Sequence, residues 1–246
     1  MLRLVLCTCS LWLLLALPAW AQRSREAAPV QSSLSAHLMR TSLGNGLDIS
    51  YAWGPLGRQL SLGVELRQLR DPREQRIEPG FASPGRKYVV NKLHTLTLLN
   101  PLLGIEWDLM PSSALNLLNL RGGFRIGPAI GLLNPYYLEI CRINANNTCT
   151  PELEAFDPEQ HNQRNIYGRA SFSETIIDPQ VRVGLSTSAY GLLDFSGSAH
   201  AISALRLGLH LDAFADPPPI MVVGEQRQNR QVFVAVSAAF LFGMRW

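Results

Sequence analysis

Lysine is almost missing from this 246-residue chain: of its 22 basic residues only Lys87 and Lys92 are lysines, and the rest are arginine. The formal charge is only +3, too small to draw nucleic acid to the protein by bulk electrostatics. Long hydrophobic runs are missing too. After residue 21 no stretch is uniformly apolar over the roughly 20 residues that a membrane helix needs, so any bilayer span must be made from strands. The motifs of common chemistry are absent as well. No spacing among His37, His94, His161, His200, His210 and the carboxylates forms a metal ligand set. The glycines of LGNGLD and RGGFRIG do not open a helix after a strand, as a phosphate loop requires. No cofactor, metal or catalytic residue is therefore expected.

Cysteine is scarce, with four in all. Cys7 and Cys9 fall in residues 1–21, where Arg3, the apolar run Leu11 to Leu17 and Ala19-Trp20-Ala21 have the layout of a secretory signal peptide. An uncleaved anchor is the weaker reading, because that run is too short to span a bilayer. Removing the segment takes Arg3 with it and leaves a charge of +2. Cys141 and Cys149, in CRINANNTC, remain as an even pair in an exported chain, which points to a local disulfide. Asn146-Asn147-Thr148 matches a glycosylation sequon, a short signal that matters only in a eukaryotic secretory context.

What the chain does contain is period-2 alternation. In residues 232 to 246 the even series Val232, Val234, Val236, Ala238, Phe240, Phe242, Met244 and Trp246 is wholly apolar. The same two-faced pattern recurs with Leu60 to Leu66 against Glu65 and Arg67, and with Ile105, Trp107 and Leu109 against Glu106 and Asp108. It recurs again with Phe124 to Leu132 against Arg125, with Val181 to Leu185 against Arg182, and with Leu205 to Leu211 against Arg206, His210 and Asp212. A soluble sandwich would present its polar faces to water. Here those faces mix glycine with single charges of both signs, which suits a narrow barrel interior where opposite charges pair and the apolar faces meet lipid.

The expected fold is all-β: an antiparallel transmembrane β-barrel of eight strands, over residues 38–53, 58–70, 88–99, 102–110, 115–133, 179–191, 200–214 and 230–246. Residues 22–37 precede the barrel, which occupies 38–246. The doubtful place is Asn100-Pro101, read either as a tight turn or as a bend in one long strand, in which case residues 166–176 could restore an even count. GPLG at 54–57 and PSS at 111–113 read as tight turns. Residues 134–178 form one long loop with room for short helices, and a loop of that length is usually functional.

Taken together, GPAIGLLNPYYLEI, NIYGRASF, SALRLGLHLDAF with its PPPIM continuation, and the ending FLFGMRW resemble a family of uncharacterised bacterial outer-membrane β-barrel proteins of about this size. The likeness covers roughly residues 38 to 246 and implies a small porin-like barrel in the outer membrane of a Gram-negative bacterium. It supplies no catalytic or ligand residues. The final strand also resembles the C-terminal signal read by the barrel-assembly machinery, with Phe240, Phe242 and Trp246 at the signal positions. Most such strands end in Phe; Trp246 departs from that and remains aromatic. The expected role is a structural or partner-binding component of the cell envelope, not an enzyme, with outer-membrane lipid, the assembly machinery and an envelope complex as partners. A lipid-acting hydrolase around His200, Ser203 and His210, or a small channel, are the alternatives. His200 and Ser203 are three apart and point oppositely on a strand, and eight strands leave an interior that side chains fill.

Overall fold

The computed structural model describes residues 30–55, 57–79, 86–110, 118–143, 149–161, 165–171, 179–198, 200–222 and 229–246. The expected leader, the expected PSS turn and the sequon match at 146–148 lie outside these residues. The elements are β1 (Val30–Thr41), β2 (Gly44–Pro55), β3 (Arg58–Leu69), β4 (Arg76–Ile77), β5 (Tyr88–Val89), β6 (His94–Met110), β7 (Asn119–Pro135), β8 (Tyr137–Ile143), β9 (Cys149–Ala155), β10 (Ile166–Arg169), β11 (Gln180–Asp194), β12 (Ala201–Phe214) and β13 (Val232–Arg245). Eight of them close an antiparallel barrel in the order β1-β13-β12-β11-β7-β6-β3-β2. No helix among the described residues is long and apolar enough to cross a membrane.

Alternation becomes sidedness in this ring. Along β13 the even series is exposed while Phe233, Ala235, Ser237, Ala239 and Leu241 are buried. On β3, Leu60, Leu62, Val64 and Leu66 face out while Gln59, Ser61, Glu65 and Arg67 are buried. The result is inverted relative to a water-soluble protein: an apolar outer wall around a charged lumen, a surface that hydrocarbon solvates and water does not.

The strand count matches the expectation, but three of the expected strands differ in a compensating way. Residues 38–53 are not one strand. The chain turns at Ser42-Leu43, where the Thr41 hydroxyl donates to the Gly44 carbonyl at 3.1 Å and accepts from the Leu43 amide at 3.2 Å. Glycine is required at 44, because a Cβ there would sit 1.9 Å from the Gln68 carbonyl oxygen. The barrel therefore begins at Val30, with Ser33 and His37 inward and Leu34 and Leu38 outward; serine dilutes the alternation enough to hide it. Residues 88–99 and 102–110, expected as two strands, are instead largely one, β6, running straight through Asn100-Pro101. Its register with β7, Leu99 to Ile130 and Leu103 to Ile126, sets Pro101 against Pro128. The two residues that lack an amide donor thus share one place in the ladder.

Three short connections, after β2, β6 and β11, lie at the end where β1 begins and β13 finishes; the long ones, after β3, β7 and β12, lie at the other. The expected long loop at 134–178 holds no helix among its described residues. It folds into a three-stranded sheet in the order β10-β8-β9, and residues 166–169 belong to that sheet rather than to the barrel. The long connections brace one another: the Leu93 amide donates to the Ile220 carbonyl at 2.8 Å, Tyr136 to Leu93 at 2.8 Å, and Val222 to Asn91 at 2.8 Å. Beneath them, Leu69, Tyr88, Leu96, Leu133, Leu138 and Phe214 form part of one buried apolar cluster that stoppers the upper lumen.

Candidate functional site

The charged residues of the inward faces meet in mid-barrel. Arg67 on β3 reaches Asp212 on β12, the strand diametrically opposite in the ring, through Nη2 at 2.8 and 2.9 Å. Its Nε donates to Glu65 at 3.0 Å. The Ser186 hydroxyl adds a donor to Asp212 at 2.8 Å, and the Asn100 amide reaches Glu65 and Ser186 at 3.3 Å each. A second crossing centres on Asp48 of β2. Its Oδ2 accepts from Arg125 of β7 at 2.6 Å and from Arg206 of β12 at 3.0 Å, and lies 2.9 Å from His37 Nδ1.

Tyr190 links this group to Glu106 by a 2.8 Å hydrogen bond, and its ring lies 4.3 Å from the Arg206 guanidinium and 5.4 Å from that of Arg125. At the lower rim Arg121 pairs with Asp108 at 3.1 Å and donates to Gln59. Arg67, Arg125 and Arg206 are at most 1% exposed, and a charge so far from water persists only where partners surround it. The chords cross the barrel from wall to wall and fill the lumen.

Of the expected interior residues, Glu65, Arg67, Glu106, Arg125, Arg206, His210 and Asp212 converge here. Asp108 lies at the rim. Arg182 has inward parity but departs from the expectation: it sits half-buried at the upper end of β11, its Nη1 donating to the Val181 carbonyl at 3.4 Å. Participants that were not anticipated are His37, assigned outside the barrel, Asp48 and Tyr190, whose inward parity was the available signal, and the polar partners Asn100, Ser186, Gln59 and Arg121.

The network contains a constellation with the distances of a hydrolase triad. His37 Nε2 lies 2.8 Å from Ser35 Oγ and 3.1 Å from Ser50 Oγ, with Asp48 at Nδ1. Arg206 Nη1 also approaches Nδ1, at 3.0 Å. Nδ1 either donates to Asp48 or accepts from Arg206, and only the first tautomer leaves Nε2 free to take a proton from serine. Ser50 is buried as well. His210 with Ser237 at 2.9 Å and Glu65 at 3.6 Å repeats the arrangement, also enclosed. His200, Ser203 and His210 do not assemble: His200 is exposed at the lower end, Ser203 has outward parity, and His210 lies inward seven residues beyond Ser203 along β12, roughly 24 Å away.

Phe240, Phe242 and Trp246 lie on the outer wall, each more than half exposed. Trp246 stands 6.3 Å from Tyr51, which stacks on Trp53 at 5.5 Å, an aromatic group at the lower edge of the apolar wall. Cys141 is disulfide-bonded; across the β8–β9 hairpin Cys149 stands opposite Ile143. In the cap, outside the barrel strands, burial lowers the pKa of the Lys92 ammonium, opposed by Glu74 at 2.5 Å.

The class this geometry defines is the small eight-stranded β-barrel with an apolar exterior and a filled polar core. No family model matches the chain, and no curated protein matches it in sequence. It is similar to the crystal structure of Neisserial surface protein A, at 9% identity and a TM-score of 0.38, over 88% of this chain and 95% of that one. It is also similar to the N-terminal β-barrel domain of Pseudomonas aeruginosa OprF (9% identity, TM-score 0.37, 88% and 97% of the two chains). A further likeness is to the Pseudomonas aeruginosa outer membrane protein OprG (12%, 0.37, 89% and 97%).

Proposed function

We propose that this chain is an integral barrel of the Gram-negative outer membrane, a structural or partner-binding component of the envelope that presents its braced loop cap. The observation that carries this reading is the pairing of an apolar outer wall with a lumen crossed by buried ion pairs and closed above by an apolar cluster. Among the described residues such a lumen offers no route for solute, which argues against the channel, and the β8–β9–β10 sheet offers a surface on which a partner can act. Leu153 on β9 is 41% exposed there. Insertion would proceed through the barrel-assembly machinery acting on the strand that carries Phe240, Phe242 and Trp246.

Membrane fractionation with heat-modifiable gel migration tests the location; a soluble species with unchanged migration on boiling would refute it. A photocrosslinker at position 153 tests the role. It is expected to capture a discrete partner that the same probe at Val30, on the opposite end, does not. The Ser50–His37–Asp48 line and its Ser237–His210–Glu65 counterpart are the observations that favour a hydrolase. A fluorophosphonate probe is expected to leave Ser35 and Ser50 unlabelled, and labelling would reinstate that reading.

A further inference from the structure

A groove of about 740 Å³ opens on the outer wall where β13, β1, β2 and β3 approach the cap. Its floor is a row of cross-strand partners, Phe240, Leu38, Leu47 and Leu66, each 44 to 59% exposed. One step higher along the strands the row changes character: Ala238 pairs with Arg40, Arg40 with Asn45, and Gln68 with Thr97. The groove therefore straddles the line at which the wall passes from apolar to polar. Arg169, from β10 in the cap, overhangs it, and a small cleft that shares Gln68 and Arg169 adds Arg70 and Arg76, together with Glu74, Lys87 and Lys92.

These four arginines share a property the lumen arginines lack. Among the described residues none has a carboxylate within ion-pair distance: Glu74 is taken by Lys92 at 2.5 Å and Glu78 by Lys87 at 2.8 Å. Arg40 donates only to the Asn45 side chain, at 2.7 Å, and Arg169 lies 6.0 Å over the Tyr136 ring. The crowding is felt at Arg70, whose guanidinium pKa is pushed down by burial and then by Arg76, partly offset by Glu74, with smaller lowering contributions from Arg40 and Arg169. A cluster of guanidinium groups without an ion-paired carboxylate, with Lys92 and Lys87 beside them and one glutamate, Glu74, among them, stands above an apolar trough and suits a ligand with several anionic oxygens on a hydrocarbon tail.

We propose that this groove binds a multiply phosphorylated lipid of the surrounding leaflet, its phosphates on Arg40, Arg70, Arg76 and Arg169 and an acyl chain along Leu38, Leu47, Leu66 and Phe240. Guanidinium matches phosphate geometrically, two donors to two oxygens, and a lipid already in the bilayer needs no route of entry. The inference rests on the membrane reading above. It also goes beyond it, by assigning the upper wall a specific lipid.

The test is native mass spectrometry of the detergent-solubilised full barrel with diphosphoryl lipid A, its dephosphorylated form, and inorganic phosphate. Diphosphoryl lipid is expected to be retained. Arg40→Gln with Arg169→Gln should weaken retention at least tenfold, whereas Arg142→Gln, near the turn of the β8–β9 hairpin and paired with Glu152 and Glu154, should not. The corresponding lysine pair should recover most of the binding. Equal binding of the dephosphorylated lipid, equal binding of phosphate alone, or an unaffected glutamine pair would each overturn the proposal. Heat-modifiable migration of every variant, recorded in parallel, reports whether the barrel itself is intact; its failure in the wild-type chain would refute the membrane reading, and its persistence without lipid retention would refute this site alone.

Discussion

Truncating Arg67 to alanine should be among the most damaging single changes in the protein. Its guanidinium is the shared partner of Asp212, at 2.8 Å, and Glu65, at 3.0 Å, and the three side chains are at most 1% exposed. Removing it leaves two carboxylates facing each other without a cation, and breaking a buried pair in this way costs about 3–5 kcal/mol. With a urea dependence near 3 kcal/mol per molar, the unfolding midpoint should fall by about 1–2 M. Urea titration of the barrel in lipid bilayers, followed by heat-modifiable migration, reads the shift directly.

A double-mutant cycle of Arg67→Met and Asp212→Asn separates the chord from the general cost of altering the lumen, with an expected coupling of about 2–3 kcal/mol. Should Arg67→Ala unfold within about 0.5 kcal/mol of the wild type, the claim that buried chords hold this lumen together would be wrong.

On the outer wall, Leu209→Arg near mid-strand should destabilise the inserted barrel by about 2–4 kcal/mol and Val30→Arg at the edge by at most about 1 kcal/mol, a depth dependence that unfolding in bilayers checks. Gly104→Ala would place a Cβ 2.5 Å from Arg125 Cγ and 2.6 Å from the Phe124 carbonyl oxygen, and should cost about 1–3 kcal/mol, whereas Gly191→Ala, with nothing within 4 Å, should be neutral. Tyr136→Phe removes the acceptor of the buried Val89 amide, bonded at 2.9 Å, and should loosen the cap by about 1–3 kcal/mol. Limited proteolysis within 70–93 would then accelerate while the barrel core stays intact, and an unchanged cleavage rate would contradict the brace. Peptide mapping of the unreduced protein should find Cys141 joined to Cys149; a free Cys149 thiol would contradict that pairing.

The alternation of side chains along each strand is a local property, so it could be read without the structure. Leu205 to Leu211 against Arg206, His210 and Asp212 already stated one apolar and one polar face, and with the absence of apolar runs after residue 21 it specified a barrel whose outside is apolar. The wrong readings arose where local signals were ambiguous. Ser33 and Ser35 diluted the first strand, and Pro101 looked like a turn until β7 supplied Pro128 opposite it.

What the tertiary structure alone decided is partnership. Arg67 and Asp212 are 145 residues apart, and no pattern in the chain says that their strands stand across a diameter; ring order and register fix that. The same holds for His37 beside Asp48 and Arg206, and for Arg169, brought by a loop strand over a wall built from β13, β1, β2 and β3. Periodicity sets which way a side chain faces because it depends on one residue's neighbours along the strand. What that side chain meets depends on how the ring closes, which only the folded chain contains.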